Sequence, residues 1–184
     1  MDAAERLLVS IGHEGITTRR LGSEAGLNHG LVHYYFDSME ELFLAVLERF
    51  TARLIVRQRA MYAAEGPFID KWRKAMGFLD EDFAAGYPQV WFELQAMAWH
   101  RPLMRHRLEA VHGEWRSVLT EAFTQALRHY GLDADAPSVS GWVALVSTFN
   151  MGIFLERLVD VNHGHATLLK MIDRWLTSLE RKAR

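Results

Sequence analysis

Cysteine is absent from this sequence, which excludes a disulfide framework and any thiolate metal site. Proline is scarce, with four residues in 184, and alternating strand patterns are almost absent, whereas apolar residues recur at helical spacing along the whole chain. The net charge of −2 has the same sign as that of a polyanion, so bulk electrostatics do not attract the molecule to one. The N-terminus starts acidic, and its apolar run is too short for a signal peptide. The sequence therefore predicts an all-α cytoplasmic protein of about nine helices.

Charge is also missing from one long segment, residues 136–155, which is long enough to span a bilayer. Pro137, Asn150 and several serines make it a poor solute for hydrocarbon. A helix that is apolar all round is otherwise buried on every side, which in a small soluble chain requires a partner subunit. We therefore expect a homodimer and no membrane association. The expected interface comprises Gly141, Ala144, Leu145, Thr148 and Gly152, and, on the last helix, Leu169, Ile172 and Leu176.

Residues 17–26 predict a short helix that ends in a glycine turn. The Thr17 hydroxyl can accept a backbone N–H of the first turn, and Leu21 and Ala25 are spaced one turn apart, facing inward. Gly26 follows directly, and glycine adopts the left-handed conformation of a helix stop without steric cost.

Residues 28–41 predict a second short helix and the beginning of a long third one. Asn28 is a good N-cap, and Leu27, Val32 and Phe36 have the spacing of core residues. Ser38 to Glu41 has the pattern of a capping box, in which the glutamate side chain reaches back to the cap. A helix, a glycine turn and a second helix form the helix-turn-helix layout, whose second helix enters the major groove of DNA.

At these residues the sequence resembles a known family. Ala-Gly-Leu-Asn-His-Gly-Leu-Val-His-Tyr-Tyr-Phe, followed by Ser-Met-Glu-Glu-Leu, is similar to the N-terminal domain of TetR-family transcriptional regulators. The resemblance implies a three-helix DNA-binding domain at residues 1–47 and a helical ligand-binding and dimerisation domain at residues 48–184. It also implies a regulator, expected to be a repressor, that binds a pseudo-palindromic double-stranded operator as a homodimer and is released by a small effector.

The short second helix is the expected DNA-reading element. Once its core positions are assigned, five residues remain for its outer face, and the resemblance implies that they contact bases and phosphates. Leu31 either touches a thymine methyl or packs against its neighbours. Arg19 and Arg20 are candidates to contact phosphate. The predicted DNA-binding residues are Thr17, Arg19, Arg20, Asn28, His29, Leu31, His33 and Tyr34.

The sequence departs from the family pattern in its charge. The family often has tyrosine where His33 stands, lysine where Met39 stands, and a basic arm before the first helix, for which this sequence begins too late. Residues 1–47 contain three arginines against seven acidic residues, a formal charge of −4. Because phosphate neutralisation supplies most nonspecific affinity for DNA, weakened binding is expected from this domain.

The C-terminal part is rich in aromatic residues and methionine, with few polar groups. Such a lining suits an apolar or aromatic effector, although any one of these residues can equally be core. We expect no cofactor. An effector within the interior of Trp72, Phe83, Trp91 and Trp115 would move the long helix that starts at Ser38. The predicted effector residues are Trp72, Met76, Phe83, Trp91, Gln95, Trp99, Trp115, Phe149 and Asn150.

Two alternatives to a working regulator remain open at this stage. One is a dimeric helical protein with a degenerate DNA-reading helix, which the acidic N-terminal domain favours. The other is a helical-bundle metalloenzyme, suggested by the single Glu-x-x-His pattern at Glu109 and His112. Helical-bundle metalloenzymes use that motif in duplicate, whereas this sequence has one copy. It also has no nucleotide-binding or hydrolase signature. We therefore expect neither enzymatic activity nor a metal site.

Overall fold

The computed structural model describes residues 1–183, without the side chain of residue 136. Within that range the chain forms nine α-helices and one 3₁₀ turn and contains no strand, which confirms the predicted all-α fold. The helices are α1 (Asp2–Ile11), α2 (Thr18–Ala25), α3 (Gly30–Tyr35), α4 (Met39–Ala63), α5 (Phe68–Ala84), α6 (Tyr87–Ala98), α7 (Pro102–His129), α8 (Ala136–Arg157) and α9 (His165–Ala183), with the 3₁₀ turn at His13–Gly15.

Most helix ends follow the local chemistry of the sequence. Gly26 (φ 65°) and Gly131 (φ 64°) lie in the left-handed region just beyond α2 and α7, where a side chain would strain the backbone. Asp135 caps α8, because its Oδ1 accepts the Ser138 backbone N–H at 2.8 Å. Helix α8 ends at Arg157, just beyond the uncharged segment, and α9 continues to Ala183.

The described chain divides into two compact units. Unit 1 contains Met1–Leu54 and Ala84–His112, and unit 2 contains Ile55–Phe83 and the described chain from Gly113 onward. The division falls inside α4, α5 and α7, so these helices contribute to both units. The predicted functional domains, residues 1–47 and 48–184, are not the same division as these two compact units. The boundary between those domains stays a prediction.

Unit 1 has a core in which α4 is prominent. Leu42, Phe43, Val46, Leu47 and Phe50 are all buried, as their helical spacing predicts. Burial of such side chains is the main favourable term in folding, at roughly 1.5–3 kcal/mol each. The first half of α4 is therefore a rigid support for the short helices that precede it.

Unit 2 has one large apolar cluster built from α5, α7, α8 and α9. Trp72, Phe123 and Val143 lie within it, and the Trp72 and Phe149 ring centroids are 5.9 Å apart. Leu176 of α9 also belongs to this cluster and is only 5% exposed. Its predicted place at a dimer interface is therefore wrong, because α9 turns this side chain into the core of its own subunit.

Three predictions of inward-facing residues are also wrong. Ala25 is exposed and Leu27 is 60% exposed. Leu103, which the helical period of α7 places on the inward face, is 67% exposed. In α7 the neighbouring Met104 takes the buried position. Periodicity places a residue on a face of its helix, but it does not say which face a neighbouring helix covers, so short helices and helix ends are where it fails.

The uncharged segment forms most of α8. Residues Pro137–Arg157 are the one described helix that is long and apolar enough to cross a membrane, by length and composition only. A third of its apolar window is buried within the chain. The core helix of a soluble protein passes the same test, so this is weak evidence for a membrane span.

Candidate nucleic-acid interface

The turn between α2 and α3 is built by the residues that the sequence predicts. Thr17 caps α2, because its Oγ1 accepts the Arg20 backbone N–H at 3.2 Å. At the other end, the N–H groups of Gly26 and Leu27 donate to the carbonyls of Ser23 (3.3 Å) and Gly22 (2.9 Å). These two bonds are the Schellman motif that closes helices at a left-handed glycine. The turn therefore has one defined geometry.

Gly22 allows α2 and α3 to approach closely. A Cβ at this buried position would lie 2.9 Å from the Leu27 carbonyl oxygen and 3.0 Å from the His29 backbone N and Cα. These neighbours are backbone atoms, so they cannot move aside as a flexible side chain can. Sequence reasoning missed this residue, although a glycine inside a helix costs about 1 kcal/mol and signals a packing reason.

Helix α3 begins slightly later than predicted, at Gly30. Asn28 nevertheless stabilises its start, since Asn28 Oδ1 accepts the Gly30 backbone N–H at 2.9 Å. The helix ends where Phe36 adopts an extended conformation. Six residues cannot form a stable helix alone, so α3 depends on the capped turns at each end.

The predicted DNA-binding residues lie at the surface of unit 1. Val32 of α3 and Phe36, just after it, are partly buried, whereas Tyr34 is 78% and Leu31 39% exposed. Tyr35, which was not predicted, is 70% exposed, and its ring packs edge-on against Tyr34 with centroids 4.9 Å apart. Contacts of these residues with DNA stay a prediction. The predicted residues that are exposed are Thr17, Arg19, Arg20, Asn28, His29, Leu31, His33 and Tyr34.

The capping box at the start of α4 forms only in part. Ser38 Oγ accepts the Glu41 backbone N–H at 3.1 Å, as predicted. The Glu41 carboxylate, however, accepts a hydrogen bond from Arg107 of α7 at 2.9 Å instead of reaching back to the cap. Arg107 also donates to both carboxylate oxygens of Glu48, with Nε–Oε1 and Nη2–Oε2 distances of 2.7 Å each. The start of α7 is thus tied to the start of α4 within unit 1.

The first helix is held against α6 by close contacts. Glu93 Oε2 accepts the His13 backbone N–H at 2.8 Å and lies 3.0 Å from the His13 ring Nδ1. A Cβ on Gly12 would come within 2.6 Å of Glu93 Oε1, and one on Gly86 would overlap Val9. Both glycines also have positive φ, a backbone conformation that favours glycine. The backbone angle and the close packing therefore each require glycine at these positions.

Acidic residues of α1 are neutralised by α4. Arg49 donates to Asp2 at 2.5 Å and to Glu5 at 2.7 Å, and Arg53 donates to Glu5 at 2.6 Å. A hydrogen bond from Arg49 lowers the pKa of Asp2. Burial alone would raise the pKa of Glu5, but the hydrogen bonds from Arg53 and Arg49 outweigh it and lower the pKa. Both carboxylates therefore stay ionised and paired at neutral pH.

Three further acidic residues of the domain are also paired. Glu24 lies 2.9 Å from Arg6, Glu41 is bound by Arg107, and Glu40 Oε1 lies 3.6 Å from Arg101 Nε. Five of the seven acids in residues 1–47 are thus matched with arginine, mostly from outside that segment. No carboxylate of the described chain lies within ion-pair distance of Arg19 or Arg20. The formal charge of −4 therefore overstates the repulsion that DNA meets.

The predicted effector residues are divided between the two units. In unit 1, Trp91 is 3% exposed, Gln95 is half-buried and Trp99 is 72% exposed. The other six belong to unit 2. There Asn150 is 7% exposed, and its Oδ1 is buried without a hydrogen-bond partner. The six in unit 2 are Trp72, Met76, Phe83, Trp115, Phe149 and Asn150.

Two cavities contain predicted effector residues. One of about 540 Å³ in unit 1, which we call the α6–α7 cavity, includes Gln95 and Trp99; Gln95 Nε2 lies 3.3 Å from His112 Nε2. One of about 320 Å³ in unit 2 includes Trp72 and Met76, and apart from Leu169 its other lining residues are charged residues of α5 and α9. The larger cavity is lined by Gln95, Ala98, Trp99, Arg105, Leu108, Glu109 and His112.

The Glu-x-x-His pair of the metalloenzyme alternative lies in the same cavity wall. Glu109 Oε2 is 4.0 Å from His106 Nδ1, and both side chains are more than 80% exposed. Across the described part of the chain, no three histidine or acidic side chains are grouped closely enough to hold a metal ion.

Comparison with known proteins agrees with this geometry. Residues 1–46 match the family model described as bacterial regulatory proteins, tetR family. No curated protein matches the sequence. Among solved structures, the transcriptional regulator FadR from Bacillus subtilis, in complex with stearoyl-CoA, is 13% identical with a TM-score of 0.77, covering 95% of this chain and 94% of its own.

Two other solved structures have the same fold. A protein assigned to the TetR family from Mesorhizobium loti is 16% identical, with a TM-score of 0.73 and 97% and 91% coverage of this chain and its own. A protein assigned as a transcriptional regulator from Saccharomonospora viridis, in complex with choline, is 17% identical, with a TM-score of 0.69 and 96% and 91% coverage. Family and fold thus point to a DNA-binding regulator rather than an enzyme. Residues 1–46 thus match the tetR family of bacterial regulatory proteins, and the described chain has the fold of these solved transcriptional regulators.

Proposed function

We propose that this regulator is a repressor that binds a pseudo-palindromic operator as a homodimer and is released by an apolar or aromatic effector. The observation that carries the proposal is α3, a short exposed helix held between two capped turns and supported by the buried first half of α4. Such a helix presents a fixed set of side chains to the major groove. The proposed regulator acts in the cytoplasm, where DNA is accessible.

The proposed dimer forms through α8. Gly141, Ala144, Leu145, Thr148 and Gly152 are exposed, although they lie on an uncharged helix. A Cβ at either glycine would meet no atom within 4 Å, so this face is open in the single subunit. Small residues at helical spacing let two helices approach closely, and two-fold dimers are the commonest assemblies of this kind. Leu169 and Ile172 of α9, both partly buried, are proposed to border the interface.

The proposed effector site is the α6–α7 cavity. Its volume of about 540 Å³ is within the range of small-molecule sites, and Ala98, Trp99 and Leu108 give it an apolar surface beside the polar groups of its other four lining residues. Two solved structures with this fold hold stearoyl-CoA and choline. These ligands differ widely in chemistry, so the fold alone does not select one.

The proposed release mechanism uses α7. Arg105 and Leu108 line the cavity, and Arg107 between them binds Glu41 and Glu48 of α4. An effector that displaces the start of α7 would therefore pull on the start of α4, which follows α3 directly. Release requires that the effector binds the displaced state more tightly than the DNA-bound state.

Alanine variants at two histidines test the role of α3. We expect His29→Ala to relax the preference for one base position, because a donor to a base edge carries sequence information. His33→Ala should weaken all sequences alike if it contacts phosphate. Selection of binding sites from random duplexes, followed by affinity measurement at stated salt, gives both results.

The same selection decides between the regulator and the dimer with a degenerate DNA-reading helix. Equal affinity of the wild-type protein for selected and random duplexes would contradict sequence-specific binding. Arg116→Ala, at an exposed position on α7, is the control for loss of a surface charge and should leave the selected sequence unchanged.

Substitutions in the cavity wall test the effector site. We expect an aromatic probe that carries one sulfonate group, anilinonaphthalene sulfonate, to bind the wild-type protein with enhanced fluorescence. Trp99→Ala and Gln95→Ala should weaken that binding about tenfold, a loss of roughly 1.4 kcal/mol. Trp99 is largely exposed, so its removal costs little stability. Leu103→Ala, an exposed residue that does not line the cavity, should bind the probe as the wild type does, and equal weakening by this control would contradict the assignment.

A further inference from the structure

We propose that the segment joining α6 to α7 is a second DNA-contacting surface, which binds backbone phosphates beside the operator groove. This surface, called here the basic turn, comprises residues 99–107. The inference rests on the proposed function, because it concerns DNA held by α3, but it assigns a separate element of unit 1 to that DNA.

The basic turn contains three arginines and two histidines and no acidic residue. His100, Arg101, Arg105, His106 and Arg107 occur within eight residues, and the sequence has no acidic residue between Glu93 and Glu109. All but Arg107 are exposed. Clustered basic side chains at the surface are the electrostatic footprint of a site for nucleic acid.

The ion pairs leave part of this charge available. Arg107 is occupied by Glu41 and Glu48. Arg105 has no carboxylate of the described chain within ion-pair distance. Arg101 donates to the Met97 carbonyl at 2.9 Å, and its Nε is 3.6 Å from Glu40, yet half of its side chain is exposed. Arg101 therefore neutralises an acid and still presents donors to solvent.

The basic turn lies beside the end of the DNA-reading helix. Glu40, which Arg101 approaches, is the second residue of α4, and α3 ends only five residues earlier, at Tyr35. The major groove is about 12 Å wide and is bordered by phosphates. When a helix enters it, the residues that flank the helix therefore come close to those phosphates. The cations of the basic turn are thus placed where phosphates run.

The charge balance of residues 1–47 also supports DNA phosphate as the partner of the basic turn. Residues 1–47 have three arginines, of which Arg6 is paired with Glu24, so Arg19 and Arg20 are the arginines that this segment itself offers to phosphate. Phosphate neutralisation supplies the sequence-independent part of DNA affinity. Arginines of the basic turn would add to that supply from outside the helix-turn-helix domain.

Salt dependence of binding tests the proposal. Affinity for a fluorescent random-sequence duplex is measured by anisotropy across a potassium chloride series, without effector. We expect Arg101→Ala to reduce the slope of log K against log salt by about 1 per chain, and Arg101→Ala/Arg105→Ala by about 2. Arg116→Ala, at an exposed position of α7 outside the basic turn, should keep the wild-type slope.

Glu40→Gln separates a phosphate contact from a brace on α4. If Arg101 acts on DNA directly, Glu40→Gln keeps the slope and binds DNA at least as tightly as the wild type, because a repelling carboxylate is removed. If Glu40→Gln weakens binding as Arg101→Ala does, the arginine only positions α4, and the proposal is overturned.

Two further outcomes would overturn the inference. One is an unchanged slope in Arg101→Ala while Arg20→Ala still lowers it, which leaves the proposed function intact. The other concerns lipid, since Trp99 and Leu103 are exposed beside the cations. The surface would be assigned to a membrane if the wild type sediments with phosphatidylserine vesicles and the double variant does not. In that outcome the salt slope of DNA binding is the same for both proteins. Absence of any DNA binding by the wild type would instead overturn the proposed function itself.

Discussion

Gly22→Val is expected to separate α2 from α3 and to abolish operator binding. The new Cβ would lie within 3.0 Å of backbone atoms of Leu27 and His29, which belong to the rigid turn closed by Gly26. Overpacking of this kind costs about 1–3 kcal/mol, which the small contact between two short helices cannot absorb. We therefore expect an affinity loss well beyond tenfold, measured by anisotropy with the selected operator, and a lower midpoint in urea unfolding.

Two other helical glycines provide matched controls. A Cβ on Gly77 of α5 or Gly113 of α7 would meet no atom within 4 Å. Alanine at either position should stabilise the protein by up to about 1 kcal/mol, because glycine is a poor helix former. If Gly22→Val binds operator as tightly as these controls do, the close approach of α2 and α3 is not required for DNA recognition.

Leu145→Glu is expected to convert the proposed dimer into monomers. The side chain is 56% exposed in the single subunit and lies on the uncharged face of α8. In a two-fold interface it would bury two like charges, a cost of at least about 3 kcal/mol, or roughly a hundredfold in the dimer dissociation constant. Analytical ultracentrifugation would show the monomer, and operator affinity would fall because each monomer binds only one half-site.

Val56→Glu is the matched control for the dimer. Val56 is 69% exposed on α4, so the same change there adds a solvated charge outside the proposed interface. It should leave both the sedimentation and the unfolding midpoint near those of the wild type. A Leu145→Glu protein that remains dimeric would place the interface elsewhere, and a wild-type protein that is monomeric at micromolar concentration would overturn the dimer.

The capped turns could be predicted from the sequence because their causes are local. Thr17, Gly26 and Asn28 act through hydrogen bonds or backbone angles within two to five residues of themselves. The inward face of α4 was equally predictable, since a long helix with a clear 3.6-residue period has one apolar side. The family resemblance came from the same stretch, which lies within the residues 1–46 that the family model matches.

Burial on short helices could not be predicted. Ala25 and Leu27 have the spacing of core residues, yet the chain covers Gly22 instead. Leu176 has the pattern of an interface residue, yet it lies in the core of unit 2. The amphipathic pattern says that a side chain avoids water, but whether its own chain or a partner covers it depends on how the helices pack.

The sequence by itself therefore determined the all-α architecture, the helix-turn-helix layout and the chemistry of its caps, because these depend on neighbours along the chain. Tertiary structure alone decided which acids of residues 1–47 are neutralised, since Arg101 and Arg107 reach Glu40 and Glu41 from about 60 residues away. It also assembled the α6–α7 cavity from two helices and placed the basic turn beside the end of α3. Ion pairs and cavities are made by side chains that meet only after the helices have packed.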